Sequence, residues 1–386
     1  APMVPTLSSF IGGAPTAAGG ESPWVVKSWG EMNRIAPEDP SNLLGNGFLR
    51  VGGALVLAGR TSDGKSALAM MCCAYWTLGL PVFGIKPSRP LRILVVQAEN
   101  DDGDMAEMRD DIIRGMRLNQ ADTESVRNNI QIVTDCSSRG GQFIVGLAQI
   151  LAREPFDLLV VDPLFAFFGG SVGLQQEVSE FLRSQINPLL VQFECGALIV
   201  HHMNKPPLNK KMALKGLDAA YALSGSAEIA NWARAIFVLS AVNEDGIYEL
   251  AAAKRGKKLG WAAEPGRDRV FKKTIKHSKQ GIFWVELSPK EVARIREDKA
   301  GAEDVLNLIP SDRSIPKKVI ITEAKSTLGI GGKKADELIA TLENEGRIHR
   351  VEPVGDNKKA VFYQAFPRKE DAEEEANDED EDDDDY

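Results

Sequence analysis

No run of about 18 apolar residues occurs in the 386-residue chain, so no segment can cross a bilayer as a helix and no membrane partner is expected. Cysteine is scarce. Cys72, Cys73, Cys136 and Cys195 show neither C-x-x-C nor His-paired spacing, which excludes a zinc framework, and all four sit in apolar surroundings. They read as buried, reduced thiols of a cytoplasmic protein. The N-terminus lacks a charged segment followed by an apolar one, so no secretory signal is visible, and Ala1 in place of Met suggests initiator removal or processing. Lys and Arg are absent from residues 370–386, which carry thirteen Asp or Glu. The net charge of −9 therefore leaves −9 + 13 = +4 on residues 1–369. An acidic segment of this kind cannot bury apolar area, so 368–386 is read as a disordered tail. It either solubilises the protein, docks a basic partner, or competes with nucleic acid for the chain's own basic loops.

What is present begins with "LVLAGRTSDGKSALAMMC", residues 55–72: an apolar run, a glycine-flanked polar turn, then an Ala-rich segment. This order predicts strand, loop and helix. Gly59-Arg60-Thr61-Ser62-Asp63-Gly64-Lys65-Ser66-Ala67 has the spacing G-x-x-x-x-G-K-S, in which backbone N–H groups can point inward at a phosphate. A helix starting near Lys65 adds unsatisfied N–H groups and a positive dipole end. Lys65 is expected to reach the β and γ phosphates of ATP, and the Ser66 hydroxyl to take Mg²⁺.

The rest of the chain is organised around alternating strands and helices. Strands are predicted at 54–59, 92–99, 129–133, 157–162, 197–202, 235–240 and 248–254, with helices near 65–80, 103–118, 140–153 and 174–193. Near-continuous apolar strands separated by helices imply a mostly parallel sheet buried on both faces, hence an α/β domain. Residues 1–22, rich in Gly, Ala, Pro and Ser, read as a flexible leader, and 23–290 as the α/β domain, ending in a hairpin that turns at Lys279-Gln280-Gly281. Helices near 301–309, 316–327 and 332–345, then two strand-like pieces around "PVGDNKK", describe a winged-helix domain over 300–367. Its third helix mixes Lys333 and Lys334 with Glu337, Glu343 and Glu345, leaving DNA contact and protein docking equally open.

Several strand ends carry chemistry. "FDLLVVD" places Asp162 at the C-terminal edge of the sheet, where a carboxylate can hold Mg²⁺ or its water. "RILVVQAEN" places Glu99 facing the γ-phosphate as the candidate base, with Asp101 and Asp102 read as helix caps. His201 and His202 end the fifth strand, and one of them is placed to sense the γ-phosphate. Beyond them, Lys205, Lys210, Lys211 and Lys215 lie in a Pro- and Gly-bearing loop suited to gripping phosphates. Phe165, Phe167 and Phe168 are read as packing.

The order phosphate loop, "QAEN", "LLVVDPL", "LIVHHMNKP", "GSAEIANWARAIFVL" resembles the RecA-like ATPases of the plasmid RepA-type hexameric replicative helicases, relatives of the DnaB and RadA families, over residues 45–260. The resemblance implies a RecA-like P-loop NTPase core and an ATPase that works as a homo-hexamer on single-stranded DNA, with a primase or other replication protein as partner. It also implies that Glu99 is catalytic, that Asp162 is the second acidic motif, that Lys205, Lys210, Lys211 and Lys215 contact single-stranded DNA, and that His202 or His201 couples ATP to DNA. A neighbouring subunit would supply an arginine, either Arg234 or Arg255, the latter beside Lys254. A RadA-like recombination ATPase and an ATP-switched DNA- or protein-binding regulator are the alternatives.

Overall fold

The computed structural model describes residues 25–171, 173–203, 227–242, 246–262, 271–279, 281–351 and 361–366. The leader, Lys205, Lys210, Lys211 and Lys215, Gln280, the "PVGDNKK" stretch and the acidic tail lie outside the described residues. Two compact units divide the chain, Ala1–Glu286 and Leu287–Tyr386.

The first unit is built on a nine-stranded sheet. Strands β3 (Ala54–Gly59), β4 (Ile93–Gln97), β5 (Ile130–Thr134), β6 (Leu158–Asp162), β7 (Gly196–His202) and β8 (Ala235–Ala241) run parallel in the order β8-β3-β7-β6-β4-β5. Their apolar runs are buried on both faces, and β3 shows why. Leu55 and Leu57 pack on one side with helix α1 (Lys65–Thr77), while Ala54, Val56 and Ala58 pack on the other with helix α4 (Gly141–Leu151). Beyond β8 the sheet continues antiparallel through β9 (Ile247–Lys254), β10 (Lys272–His277) and β11 (Trp284–Glu286), so the expected hairpin joins the main sheet. A small hairpin, β1 (Asn42–Leu44) with β2 (Leu49–Arg50), precedes β3.

Two expectations need correction in this unit. Helix α2 (Asp102–Met116) ends in the left-handed Arg117, and a separate helix α3 (Gln120–Asn129) follows that the apolar pattern did not reveal. Val126 is the residue that α3 buries, so it has no apolar stripe to read; its start is marked by Asn119, whose side chain accepts the Asp122 N–H at 2.9 Å. Cys136 is exposed, unlike Cys72, Cys73 and Cys195, because it sits between Asp135 and Ser137 in the turn after β5, where Asp135 accepts backbone N–H bonds from Ser137 and Ser138.

Helices α5 (Gln175–Ser179), α6 (Asn187–Gln192) and α7 (Ala227–Trp232) complete the described α-helices of the first unit, and the second unit holds helices α8 (Pro289–Lys299), α9 (Ala302–Leu306), α10 (Lys317–Glu323) and α11 (Gly332–Asn344) with a three-stranded antiparallel sheet, β12 (Ile315–Pro316), β14 (Phe362–Ala365) and β13 (Ile348–Val351) in that order. Val305, Ile320, Ile339, Leu342 and Tyr363 form its core. On and around α11 the basic groups meet acids: Lys333 lies 3.9 Å from Glu337, Lys317 3.2 Å from Asp336 and Arg350 2.7 Å from Glu343. No helix among the described residues is long and apolar enough to cross a membrane.

Candidate active site

Gly59 closes β3, Lys65 opens α1, and the turn between them uses two left-handed residues, Ser62 (φ 68°) and Gly64 (φ 79°). Gly64 is required twice over: its φ favours glycine, and a Cβ there would lie 2.8 Å from His277 Cε1 and 2.9 Å from Trp284 Cζ2. The Asp63 carboxylate accepts the Arg60 N–H at 2.9 Å and closes the loop on itself. Lys65 is buried; its ammonium donates to the Arg60 carbonyl at 2.6 Å and lies 3.4 Å from His202 Nδ1. Burial pushes the Lys65 pKa down, while Asp63, Asp162 and Glu99 pull it back up, so a cation is held in the mouth of the loop with acids around it.

The parallel register brings the other groups to the same edge. Gly59 pairs with His202, and Gln97 with Asp162. The Ser66 hydroxyl donates to the buried Asp162 carboxylate, whose pKa rises to about 6; burial is the main cause, Glu99 adds to it, and Ser66 and Lys65 oppose it. Glu99 is exposed in the turn after β4, two residues past the strand end, and its Oε1 lies 4.0 Å from His202 Nε2. Burial and Lys65 lower the His202 pKa, with Glu99 opposing, so the ring is neutral at pH 7. His201 points to the opposite face, buried edge-on against Phe165 at 4.6 Å. Position therefore separates the two histidines: His202 joins the site and His201 joins the core. Phe167 and Phe168 are buried in that same core, as read from the sequence.

The sequence reading passed over Gln97. Buried at the end of β4, its Oε1 accepts the N–H groups of Glu99 (3.2 Å) and Asn100 (2.8 Å), and its Nε2 donates to the Asn100 carbonyl (2.6 Å) and Thr134 Oγ1 (3.0 Å). It ties the turn that carries Glu99 to two strands. A polar residue inside an otherwise apolar strand was the available signal.

Arg234 and Arg255 lie at the other end of the strands. Arg234 N–H donates to the Ala54 carbonyl at 2.8 Å, so Arg234 sits by the start of β3, about 17 Å along the strand from Gly59. Its side chain packs over Gly53 and its Nε is buried without a partner in the described structure. Burial lowers its pKa, and Arg255 and Arg50 lower it further. Arg255 is exposed with a left-handed backbone (φ 66°), and its Nη1 donates to the Gly47 carbonyl at 3.2 Å. Lys254 donates to the carbonyls of Ala230 (3.1 Å) and Ala233 (2.6 Å) at the end of the helix Ala227–Trp232, a structural role. Neither arginine can reach Lys65 of its own chain.

The donor set suits a hard divalent cation. Ser66 and Asp162 offer one hydroxyl and one carboxylate, and no cluster of three or more acidic, His or Cys groups occurs among the described residues. Mg²⁺ held by Ser66 and Asp162 together with nucleotide phosphates would neutralise triphosphate charge. In the protein without nucleotide or metal, the raised pKa makes ionised Asp162 a cost: the stability of its neutral form is full below 3.8 and is lost as pH rises through about 6. Asp162→Asn is therefore expected to melt higher than wild type at pH 7.5, by up to about 3 kcal/mol less the lost attraction to Lys65. Thermal melts should show this gain shrinking toward pH 5; a gain independent of pH would rule the assignment out.

The AAA domain family model matches residues 21–207, from before β1 to just past β7. The match takes in the phosphate loop, Glu99, Asp162 and His202, and it ends before Arg234 and Arg255. It bears out the resemblance to RecA-like P-loop ATPases drawn from the motif order. No curated protein matches this chain in sequence. Among solved structures it is similar to the ATPase domain of G40P, with 14% identity, TM-score 0.41, and 61% of this chain and 85% of that one covered. It is also similar to the RadB recombinase, with 13% identity, TM-score 0.42, and 63% and 93% covered.

Proposed function

We propose that the protein is an ATP-hydrolysing motor that acts on single-stranded DNA as a homo-hexameric ring, a helicase of the plasmid or phage replicative type. The observation that carries this reading is the convergence of Lys65, Ser66, Asp162, Glu99 and His202 at one end of the sheet, with Arg255 exposed at the other. A site so divided is completed only when a second subunit brings its arginine edge to the first subunit's phosphate loop.

Each residue has a role in that reading. Backbone N–H groups from Gly59 to Ala67 and the Lys65 ammonium bind the triphosphate of ATP. Glu99, held by the Gln97 turn, accepts a proton from the attacking water. Arg255 of the neighbouring subunit stabilises the charge that develops on the transferring phosphoryl, in preference to Arg234, which is packed over Gly53. His202 lies within 4.0 Å of both Lys65 and Glu99 and is followed directly by the segment bearing Lys205, Lys210, Lys211 and Lys215, so a change at the γ-phosphate can pass to a DNA-gripping loop. After α8 the second unit runs helix, strand, two helices and two strands, which fits a winged helix; its acid-paired α11 favours docking to a protein such as a primase over reading a DNA groove. The cytoplasm is the compartment that suits DNA and ATP as ligands.

A forked DNA substrate tests this reading. Wild type is expected to separate the strands with ATP and Mg²⁺, and Lys65→Ala to lose the activity. DNA-stimulated hydrolysis without strand separation would move the protein to the recombination class, and ATP-controlled DNA binding with negligible turnover would make it a switch.

A further inference from the structure

The chemistry-bearing groups of the phosphate loop all lie on one side of it: His202 on β7, Asp162 on β6 and Glu99 after β4. The sheet order places β8, β9, β10 and β11 on the other side of β3. A triphosphate whose γ end faces the carboxylates must therefore present its nucleoside end toward the antiparallel strands. There the last residue of β10, His277, packs against the loop at Gly64. Trp284 backs the His277 ring with 3.7 Å between ring centroids, and Tyr248 meets both rings edge-on, at 5.5 Å from His277 and 5.1 Å from Trp284. Trp284 is buried, whereas His277 is exposed beside the phosphate loop.

The hairpin that carries the ring is itself anchored. Asp111 of α2 accepts the Ile282 N–H at 2.8 Å, and Phe283 lies against Gly115 of the same helix. An aromatic ring fixed by two others loses little freedom when a second ring stacks on it. The partial shelter of the stack lowers the His277 pKa, which keeps the imidazole uncharged at neutral pH.

We propose that His277, backed by Trp284 and Tyr248, is the stacking platform for the nucleobase of the nucleotide whose phosphates the loop holds. This rests on the reading of residues 59–67 as a triphosphate site, and it adds a determinant of base affinity to it. The charged groups of the loop recognise phosphates; His277 recognises a flat ring.

Equilibrium binding of ATP and of inorganic tripolyphosphate to the full-length wild type, His277→Ala and His277→Phe tests the proposal. His277→Ala should weaken ATP about tenfold and leave tripolyphosphate unchanged, and His277→Phe should restore ATP affinity, because the phenyl ring also stacks. Parallel weakening of both ligands would mean that His277 only props up Gly64, and unaltered ATP affinity would mean that the base lies elsewhere; either overturns the platform. A wild type that binds tripolyphosphate as tightly as ATP also overturns it while leaving the phosphate site standing. A wild type that binds neither ligand overturns the phosphate site, and the platform with it.

Discussion

Arg255→Ala is expected to lower ATP turnover by about 10³-fold or more while ATP binding stays near the wild-type level. An arginine delivered across a subunit interface acts on charge that develops during phosphoryl transfer, so its loss appears in kcat. Arg234→Ala should behave differently. Its guanidinium packs over Gly53 with Nε buried, and two like charges, Arg50 and Arg255, lie close by. Removing it exchanges lost packing for relieved repulsion, so the melting temperature should move more than turnover does. Steady-state hydrolysis and thermal melts of the two variants separate the roles. Wild-type turnover in Arg255→Ala with a dead Arg234→Ala would transfer the assignment, and two active variants would remove the shared site altogether.

The second large effect lies at Glu99. Glu99→Gln keeps the shape of the side chain and its turn but cannot take a proton, so hydrolysis should fall about 10³-fold with ATP still bound. The neutral His202, 4.0 Å away, does not replace it: the Lys65 ammonium donates to Nδ1, which leaves the ring hydrogen on Nε2, the nitrogen that faces Glu99. Single-turnover hydrolysis beside a binding titration checks both halves of this expectation. If Glu99→Gln hydrolysed ATP at the wild-type rate, the base would have to be sought at another residue.

The parallel core was legible because β3, β4, β6 and β7 are unbroken apolar runs, each ending in a group that a sheet edge can use. The phosphate loop was legible for a different reason: glycine and lysine spacing records a backbone shape that few other residues allow. Helix α3 was not, because a helix that buries Val126 and caps itself with Asn119 has almost no apolar period. The choice between His201 and His202 could not be read from adjacent letters either. Successive residues of a strand point to opposite faces, and only the pairing with β3 and β6 says which face holds Lys65. His277 and Gln97 were missed because their roles depend on partners distant in sequence, Gly64 and Thr134 respectively.

Under the proposed function Gly59 to Ala67 hold a triphosphate and Lys65 supplies the charge that binds it. Calorimetric titration of ATP with Mg²⁺ into wild type and Lys65→Ala measures this directly. Saturable binding by wild type and a loss of about 100-fold or more in Lys65→Ala is the predicted result, given a buried ammonium at the mouth of the loop. Equal affinity in the two proteins would contradict it.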